Sequence, residues 1–445
     1  MSGGSACASP VHRRGQAVGL PPGPVHLDLP FPSSLPRLIP LDHSTGTPSL
    51  IAPPAERFDR RPCLLALLVF GLVGFGTVMV YSASAALGEV RFESGHFFLK
   101  RWVLRMLVSL VAMGLVMRVD YRLWARCARA VLALGFLGLG VVLVFKLLGV
   151  GSIRGAYRWI HFSGMAFQPS DLMRLALVIY LAESLSRRRA LVREFHRGYL
   201  PHIAIVGMAM GLITLQPDLG TAMAIGLTCT LMLYVGGVRL THLLATGLAL
   251  LPALYTVVFV IGYRKERIVA FLNPSADTQG AGYHVAQSLV ALGSGGWTGT
   301  GLGQSIQKYF FLPEPHTDFV FSIVGEELGL AGTVGLLLLF LFFGRLGFQI
   351  ARRAPDLHGY LLAAGVTLMV LVYAMVNMGV CTGLLPTTGL PLPFISYGGS
   401  SLLLTLVASG ILINIGRAGA ENPSRLPPQT HGSSQRIYRP VDLRT

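Results

Sequence analysis

Residues 359–383 read GYLLAAGVTLMVLVYAMVNMGVCTG, without one charged side chain. A bilayer core about 30 Å thick is crossed by a helix of roughly 20 apolar residues, so this stretch is long enough to span it. Working outward, apolar blocks at 319–344 and 397–416 flank it, and 64–84, 103–118, 129–148, 171–186, 203–215, 221–237 and 241–263 precede them. The pattern predicts an all-α polytopic membrane protein with about ten transmembrane helices. Composition agrees: of 445 residues, 52% are hydrophobic and 13% charged, and the mean hydropathy is +0.60. Water-soluble chains carry about twice that share of charge.

The formal charge is +16, from 36 Lys and Arg against 20 Asp and Glu. In this context the excess reads as loops facing the cytoplasm, not as a nucleic-acid surface. Arg118, Arg122, Arg126 and Arg129 separate spans two and three. Arg187, Arg188, Arg189, Arg193 and Arg197 separate four and five, Arg239 six and seven, and Arg345, Arg352 and Arg353 eight and nine. These alternate loops share one side, which the positive-inside rule makes the cytoplasm, with both termini there too. Residues 1–60 hold 11 of the 27 prolines and read as a disordered cytoplasmic tail, with 421–445 as a second, shorter one. Residues 61–420 are the membrane domain. The five cysteines form no CxxC pair, so neither a disulfide framework nor a zinc site is expected.

Cations also lie in the outward loops against that bias, among them Arg101, Arg154, Arg158, Arg267 and Lys308. They suggest an anionic ligand outside, although snorkelling at the interface would also place such residues there. The long outer loop, 264–318, is too long for a mere connector. Within it, Val285, Leu289 and Leu292 fall on one helical face, as in a short amphipathic helix at the interface. The run GSGGWTGTGLGQ (293–304) lacks a GK[ST] ending and follows no strand. It reads as a tight loop passing close to a ligand or to neighbouring backbone, not as a phosphate cradle.

The loop closes on Glu314, His316, Thr317 and Asp318. Pro313 and Pro315 are expected to hold Glu314 in an extended segment. Asp318 stands where the chain enters apolar surroundings, so its carboxyl should lose water, rise in pKa and become suited to act as a general base. Thr317 or Asp318 would equally serve as the helix N-cap. Glu326 and Glu327 follow about 12 Å further down, buried and either paired or protonated.

Other polar groups gather toward the same side. Gln216, Asp218 and Thr221 sit where Pro217 and Gly220 break the chain between spans five and six. Asp171 and Arg174, three apart at the start of span four, share a face and can pair. Ser396 opens span ten in LPFISYGGSS. Asp171, Asp218, Glu314 and Asp318, with Arg101, Arg158, Arg174 and Lys308, would line an outward cavity able to hold an anionic head group on a lipid tail. Gln216, His316, Thr317 and Ser396 complete the candidate set.

MVYSAS, GAYRWI, FQPSDLMRL, QPDLGTA, GYHVAQSLVALGSGGWTGTGLG, FLPEPHTDFVFSIVGEELG and LPFISYGGSS follow one another between Phe70 and Ile415. This series resembles the SEDS family of bacterial cell-wall polymerases, whose branches are FtsW and RodA. The resemblance implies a ten-helix fold and a peptidoglycan glycosyltransferase in the inner membrane. Lipid II would be donor and acceptor, and undecaprenyl pyrophosphate would leave. It implies that Asp318, in HTDF, is the essential aspartate, deprotonating the attacking hydroxyl with inversion at the donor anomeric carbon. It further implies a divalent cation (Mg or Mn), a class B penicillin-binding protein as partner, and divisome proteins. The sequence departs from the family pattern at Asp171 and Arg174, where Glu and Lys are usual, and at Thr388, where FtsW proteins commonly carry Lys. The HTDF segment favours FtsW and a septal location; the proline in GLPLP leans toward RodA and elongation. A lipid II flippase and a non-catalytic scaffold are the rival readings.

Overall fold

The computed structural model describes residues 59–149, 158–162, 165–256, 259, 267, 271 and 280–421. The proline-rich segment up to residue 58, the segment after 421, Arg154 and most of 257–279 lie outside them, and so does the expected end of span seven.

Among the described residues, ten apolar helices follow the ten expected spans. They are α1 (Arg61–Phe92), α2 (Phe97–Val116), α3 (Arg122–Leu147), α4 (Pro169–Arg187), α5 (Leu200–Leu215), α6 (Leu219–Val235), α7 (Leu240–Tyr255), α9 (Val320–Arg352), α10 (Leu357–Cys381) and α11 (Gly399–Glu421). An eleventh, α8 (Ala281–Ser294), lies in the outer loop. Six stretches are long and apolar enough to cross a membrane outright: α1, α3, α5 with the π-helical turn before it, α9, α10 and α11. Helices α6 and α7 are apolar but shorter, while α2 and α4 carry charges, those of α4 paired as described below. A hairpin of β1 (Ile160–Phe162) and β2 (Met165–Phe167), with Ile160 opposite Phe167, precedes α4.

Helix starts are written into the sequence. Prolines open α1, α4 and α5, where a missing N–H is harmless. Asp218 and Asp356 cap α6 and α10 by accepting from the N–H of Thr221 (3.3 Å) and Gly359 (2.6 Å). Helices α10 and α11 are apolar nearly all round and occupy the centre, with 78% of their apolar windows buried against 22% for α3. Helix α4 joins them, packed against α3 and α10, while α2 runs beside α11 and α9 beside α10. The exposed faces of the outer helices are leucine-rich, as a lipid-facing surface requires (Leu134, Leu137, Leu244, Leu248).

Helix α9 is broken at Gly329 (φ 67°, ψ −162°), and the Gly-rich loop is stitched across the break. Thr300 and Gly301 N–H groups donate to the carbonyls of Glu326 and Glu327, both at 3.0 Å. Beyond the break, the N–H groups of Leu330 and Ala331 donate to the carbonyls of Gly296 (2.9 Å) and Trp297 (3.2 Å). The backbones approach so closely that a Cβ on Gly299 would lie 2.1 Å from the Glu327 carbonyl oxygen. The loop therefore passes against neighbouring backbone, and its glycines are required by contact. Helix α8 packs on α9 and α10 through Val285, Ser288 and Ala291, with the Ser288 hydroxyl bonded to Ser322 (2.5 Å) and to the Cys381 carbonyl (2.7 Å). Leu289, expected on the buried face, is 44% exposed, because the serine takes the place next to α9.

Candidate active site

Asp318 lies at the outer end of α9, but neither it nor Thr317 caps that helix. Phe319 holds the N-cap position and makes no side-chain capping bond. The turn is fixed from behind: buried Asn377 of α10 donates to the Asp318 carbonyl (2.8 Å) and to the Leu390 carbonyl (2.7 Å). One amide thus ties α9, α10 and the loop before α11 together. Freed from capping, the Asp318 carboxyl faces a cavity of about 280 Å³, also lined by Arg267, His284, Glu314, Thr387, Thr388 and Gly389.

Gly389 has φ 76°, a backbone conformation that favours glycine, and a Cβ there would be in ordinary contact with Asp318 Oδ2 at 3.5 Å, so the loop lies directly against the carboxyl. Glu314 also departs from expectation. Its φ is 53°, and its carbonyl accepts from the Thr317 N–H (3.2 Å). The chain turns sharply between the two prolines instead of running extended, which brings the Glu314 and Asp318 carboxyls to one cavity. The Thr317 hydroxyl reaches Glu314 Oε2 at 3.4 Å.

Burial pushes the Asp318 carboxyl up to about 6. That net value includes like-charge repulsion from Glu314 and, more weakly, Asp218, and the opposing pull of Arg267 and Arg158. The carboxyl therefore ionises close to neutral pH.

Arg158, Asp171, Arg174 and Asp218, expected in the cavity lining, are not among the residues that line it; they form a connected polar seam beside it. Arg158 pairs with Asp218 (3.7 Å) and donates to the Gln216 carbonyl (3.2 Å). Gln168 donates from its side chain to Asp218 Oδ2 (3.2 Å) and from its backbone to Ser400 (3.3 Å). Ser400 in turn donates to Asp171 Oδ2 (2.8 Å), and Asp171 pairs with Arg174 (3.8 Å). Arg174 continues to Thr405 (3.3 Å) and lies over the Tyr373 ring (4.1 Å). This seam accounts for Asp171 and Arg174 of α4, which pair with each other and with hydroxyls of α11, while Glu183 pairs with Arg187 within α4 (2.7 Å).

Four candidates point elsewhere. Gln216 turns its amide to the Leu139 carbonyl (2.9 Å) and anchors α5 to α3. Lys308 is buried on Glu327 (3.4 Å) and on the Gly303 carbonyl. Ser396 accepts from the Leu392 N–H (2.8 Å) inside its own turn. Arg101 is exposed and stacks over Phe97 (4.3 Å). His316 belongs to an aromatic group with Phe98 and Tyr397 on the flank of the Asp318 turn. Glu326 and Glu327 bind the outer loop: Glu326 accepts from Ser305 Oγ (2.5 Å) and the Ile306 N–H (2.8 Å), and Glu327 from Ser82 Oγ (2.5 Å).

The site also holds residues that sequence reasoning passed over. Arg267 was grouped only with the outward cations, yet it lines the cavity and donates to the Thr387 carbonyl (2.9 Å). Asn377, a lone amide in an otherwise apolar helix, was the signal available for the α10 contribution. Arg105, which lies over the Tyr397 ring at 4.9 Å, had no distinguishing pattern.

Comparison with known proteins matches this arrangement. Residues 63–421 match the FtsW, RodA and SpoVE family of cell cycle proteins. The chain is 43% identical over 360 residues to a probable peptidoglycan glycosyltransferase FtsW of Geobacter metallireducens, covering 81% of this chain and 95% of the relative. It is 43% identical to the stage V sporulation protein E of Bacillus subtilis, with 80% and 96% covered. Among solved structures, a chain of a peptidoglycan synthase complex that coordinates polymerization and crosslinking superposes with a TM-score of 0.66 at 30% identity, covering 80% of this chain and 97% of that one. RodA of Thermus thermophilus gives 0.59 at 29% identity, covering 79% and 95%. With a ten-helix bundle, a matched length from residue 63 to 421 and these identities, the chain belongs to the FtsW, RodA and SpoVE family.

Proposed function

We propose that the protein is a peptidoglycan glycosyltransferase that polymerises lipid II on the outer face of the cytoplasmic membrane. The observation that carries this reading is the Asp318 carboxyl, held in a cavity and ionising near pH 6. A carboxylate of that basicity accepts a proton at neutral pH more readily than an ordinary aspartate. In the proposed step, Asp318 takes the proton of the acceptor sugar hydroxyl. The hydroxyl oxygen then bonds to the donor anomeric carbon from the face opposite the leaving group. The carbon–oxygen bond to undecaprenyl pyrophosphate breaks, and the pyrophosphate leaves with the electron pair. Arg267 and Arg158, both close enough to act on Asp318, would stabilise that leaving charge.

A divalent cation suits the same cavity. Asp318 and Glu314 present carboxylates that repel one another, and hard cations such as Mg take one or two carboxylates together with substrate phosphate oxygens and water. Glu314 would hold it together with the substrate phosphate oxygens, leaving Asp318 free as the base, and its chemistry would be neutralisation of the pyrophosphate. The structural likeness to a peptidoglycan synthase complex supports a class B penicillin-binding protein as the crosslinking partner. The FtsW relatives support action at the division septum, and the arginine-rich alternate loops support cytoplasmic termini.

Purified protein with its partner synthase and labelled lipid II tests the reading. Asp318→Asn should abolish long glycan, and a chelator should do the same to the unsubstituted protein. Long glycan from the Asn variant, with lipid II transport lost instead, would overturn the polymerase in favour of a flippase.

A further inference from the structure

At the end of the bundle opposite Asp318, the last turn of α2, the first of α3 and the last of α11 enclose a second cleft. The opposition follows from the helices: the first turns of α2 and α11 flank the His316–Asp318 turn, and their last turns meet here. The cleft is about 480 Å³ and is lined by Arg118, Arg122 and Arg417 against one carboxylate, Asp120.

This cleft is rigidly built. Asn414 of α11 donates to the Met117 carbonyl and accepts from the Tyr121 N–H, both at 3.0 Å, so the α2–α3 turn is fastened to α11. The buried Tyr121 donates its hydroxyl to Asp356 (2.8 Å). The neighbouring acids are already occupied. Asp120 accepts the Arg122 N–H (2.9 Å), and Asp356 caps α10 while facing Arg122 Nε at 3.6 Å. Among the described residues, Arg118 and Arg417 form no ion pair. The chain beside the cleft is apolar and exposed, with Leu115 and Leu123 on either side of the turn.

We propose that this cleft is a binding site for the phosphate headgroup of an anionic phospholipid, with the acyl chains against the exposed leucines. Arginine forks match phosphate oxygens, and basic clefts between helix ends are suited to anionic headgroups. The position of the cleft, at the ends of three membrane helices beside lipid-facing side chains, selects a lipid over a free anion. This site is independent of the catalytic reading.

The full chain, delipidated in detergent, is examined by native mass spectrometry and by thermal melting with phosphatidylglycerol, phosphatidylcholine or inorganic phosphate. Phosphatidylglycerol should be retained and should raise the melting temperature, while the other two should do neither. Arg118→Gln with Arg417→Gln should weaken retention by roughly thirtyfold. Arg126→Gln with Arg129→Gln removes the same charge from the same end but outside the cleft, and should leave retention unchanged. Equal loss in both pairs, or full retention in the cleft pair, would overturn the site. So would equal stabilisation of the unsubstituted chain by phosphatidylcholine or by inorganic phosphate. That last comparison stands even where a variant fails to fold.

Discussion

Asp318 combines two demands that usually conflict. A base must be ionised to work, and a buried carboxyl resists ionising. The structure meets both by setting Arg267 and Arg158 against Glu314 and Asp218 around one oxygen pair, so that ionisation falls at about 6. Polymerisation should therefore rise with pH through about 6 and level off above it, in a pH–rate profile with labelled lipid II. The neighbours give opposite signs. Asp218→Asn removes a charge that raises the Asp318 pKa, so the inflection should move to lower pH. Arg267→Gln removes one that lowers it, so the inflection should move up. Shifts in the same direction would show that these groups do not act on the base. The sign also applies to folding. Because the folded pKa lies above the ordinary carboxylate value, ionised Asp318 opposes folding, and this cost grows as pH rises from about 4 to 6. Asp318→Asn should thus melt at the same temperature or slightly higher at pH 7.5, while losing activity.

The element that makes such a residue possible is a helix interrupted and repaired. Unpaired backbone at a break in α9 would be costly in apolar surroundings. The outer loop satisfies it from both sides, through Thr300 and Gly301 above Gly329 and through the Gly296 and Trp297 carbonyls below. Glu326 and Glu327 then gather the loop's own N–H and hydroxyl groups, with Lys308 neutralising Glu327 at 3.4 Å. Loop and helix form one unit, and Asp318 stands at its edge. Gly299→Ala should destabilise the protein by about 3 kcal/mol, because a Cβ would meet the Glu327 carbonyl and φ is already 84°. Gly293→Ala, in α8 with open space around it, should leave the melting temperature unchanged or raised. Equal melting of the two variants would mean that the loop is not seated on α9. The repair also explains why the sequence left the role of these glutamates open. Their charge was visible, but the partners lie about 20 residues upstream, just after a glycine run whose conformation no periodicity specifies.

For the molecule as a whole, the spans were legible because most are long apolar runs with few charges, a signal local to their own residues. The polar seam was legible as a list, since charge in a membrane helix is conspicuous. Its wiring was not, because Asp171 meets Ser400 and Asn377 meets Asp318 across turns of chain that carry no pattern. The hairpin before α4 escaped for its brevity, at three residues a strand. Orientation is an expectation from the positive-inside rule, and the structure makes it a sharper claim. The arginine-rich turns lie at the end opposite Asp318, so one labelling experiment fixes the side on which chemistry occurs. In a background with Cys7, Cys63 and Cys127 replaced by serine, Leu302→Cys lies in the outer loop and Arg126→Cys at the arginine end; both positions are exposed. A membrane-impermeant maleimide should label Leu302→Cys in intact spheroplasts, and Arg126→Cys only after permeabilisation. The reverse pattern would put the Asp318 cavity in the cytoplasm. A glycan strand made there would have no route to the wall, so the proposed reaction would fail on topology alone, however well the carboxyl is tuned.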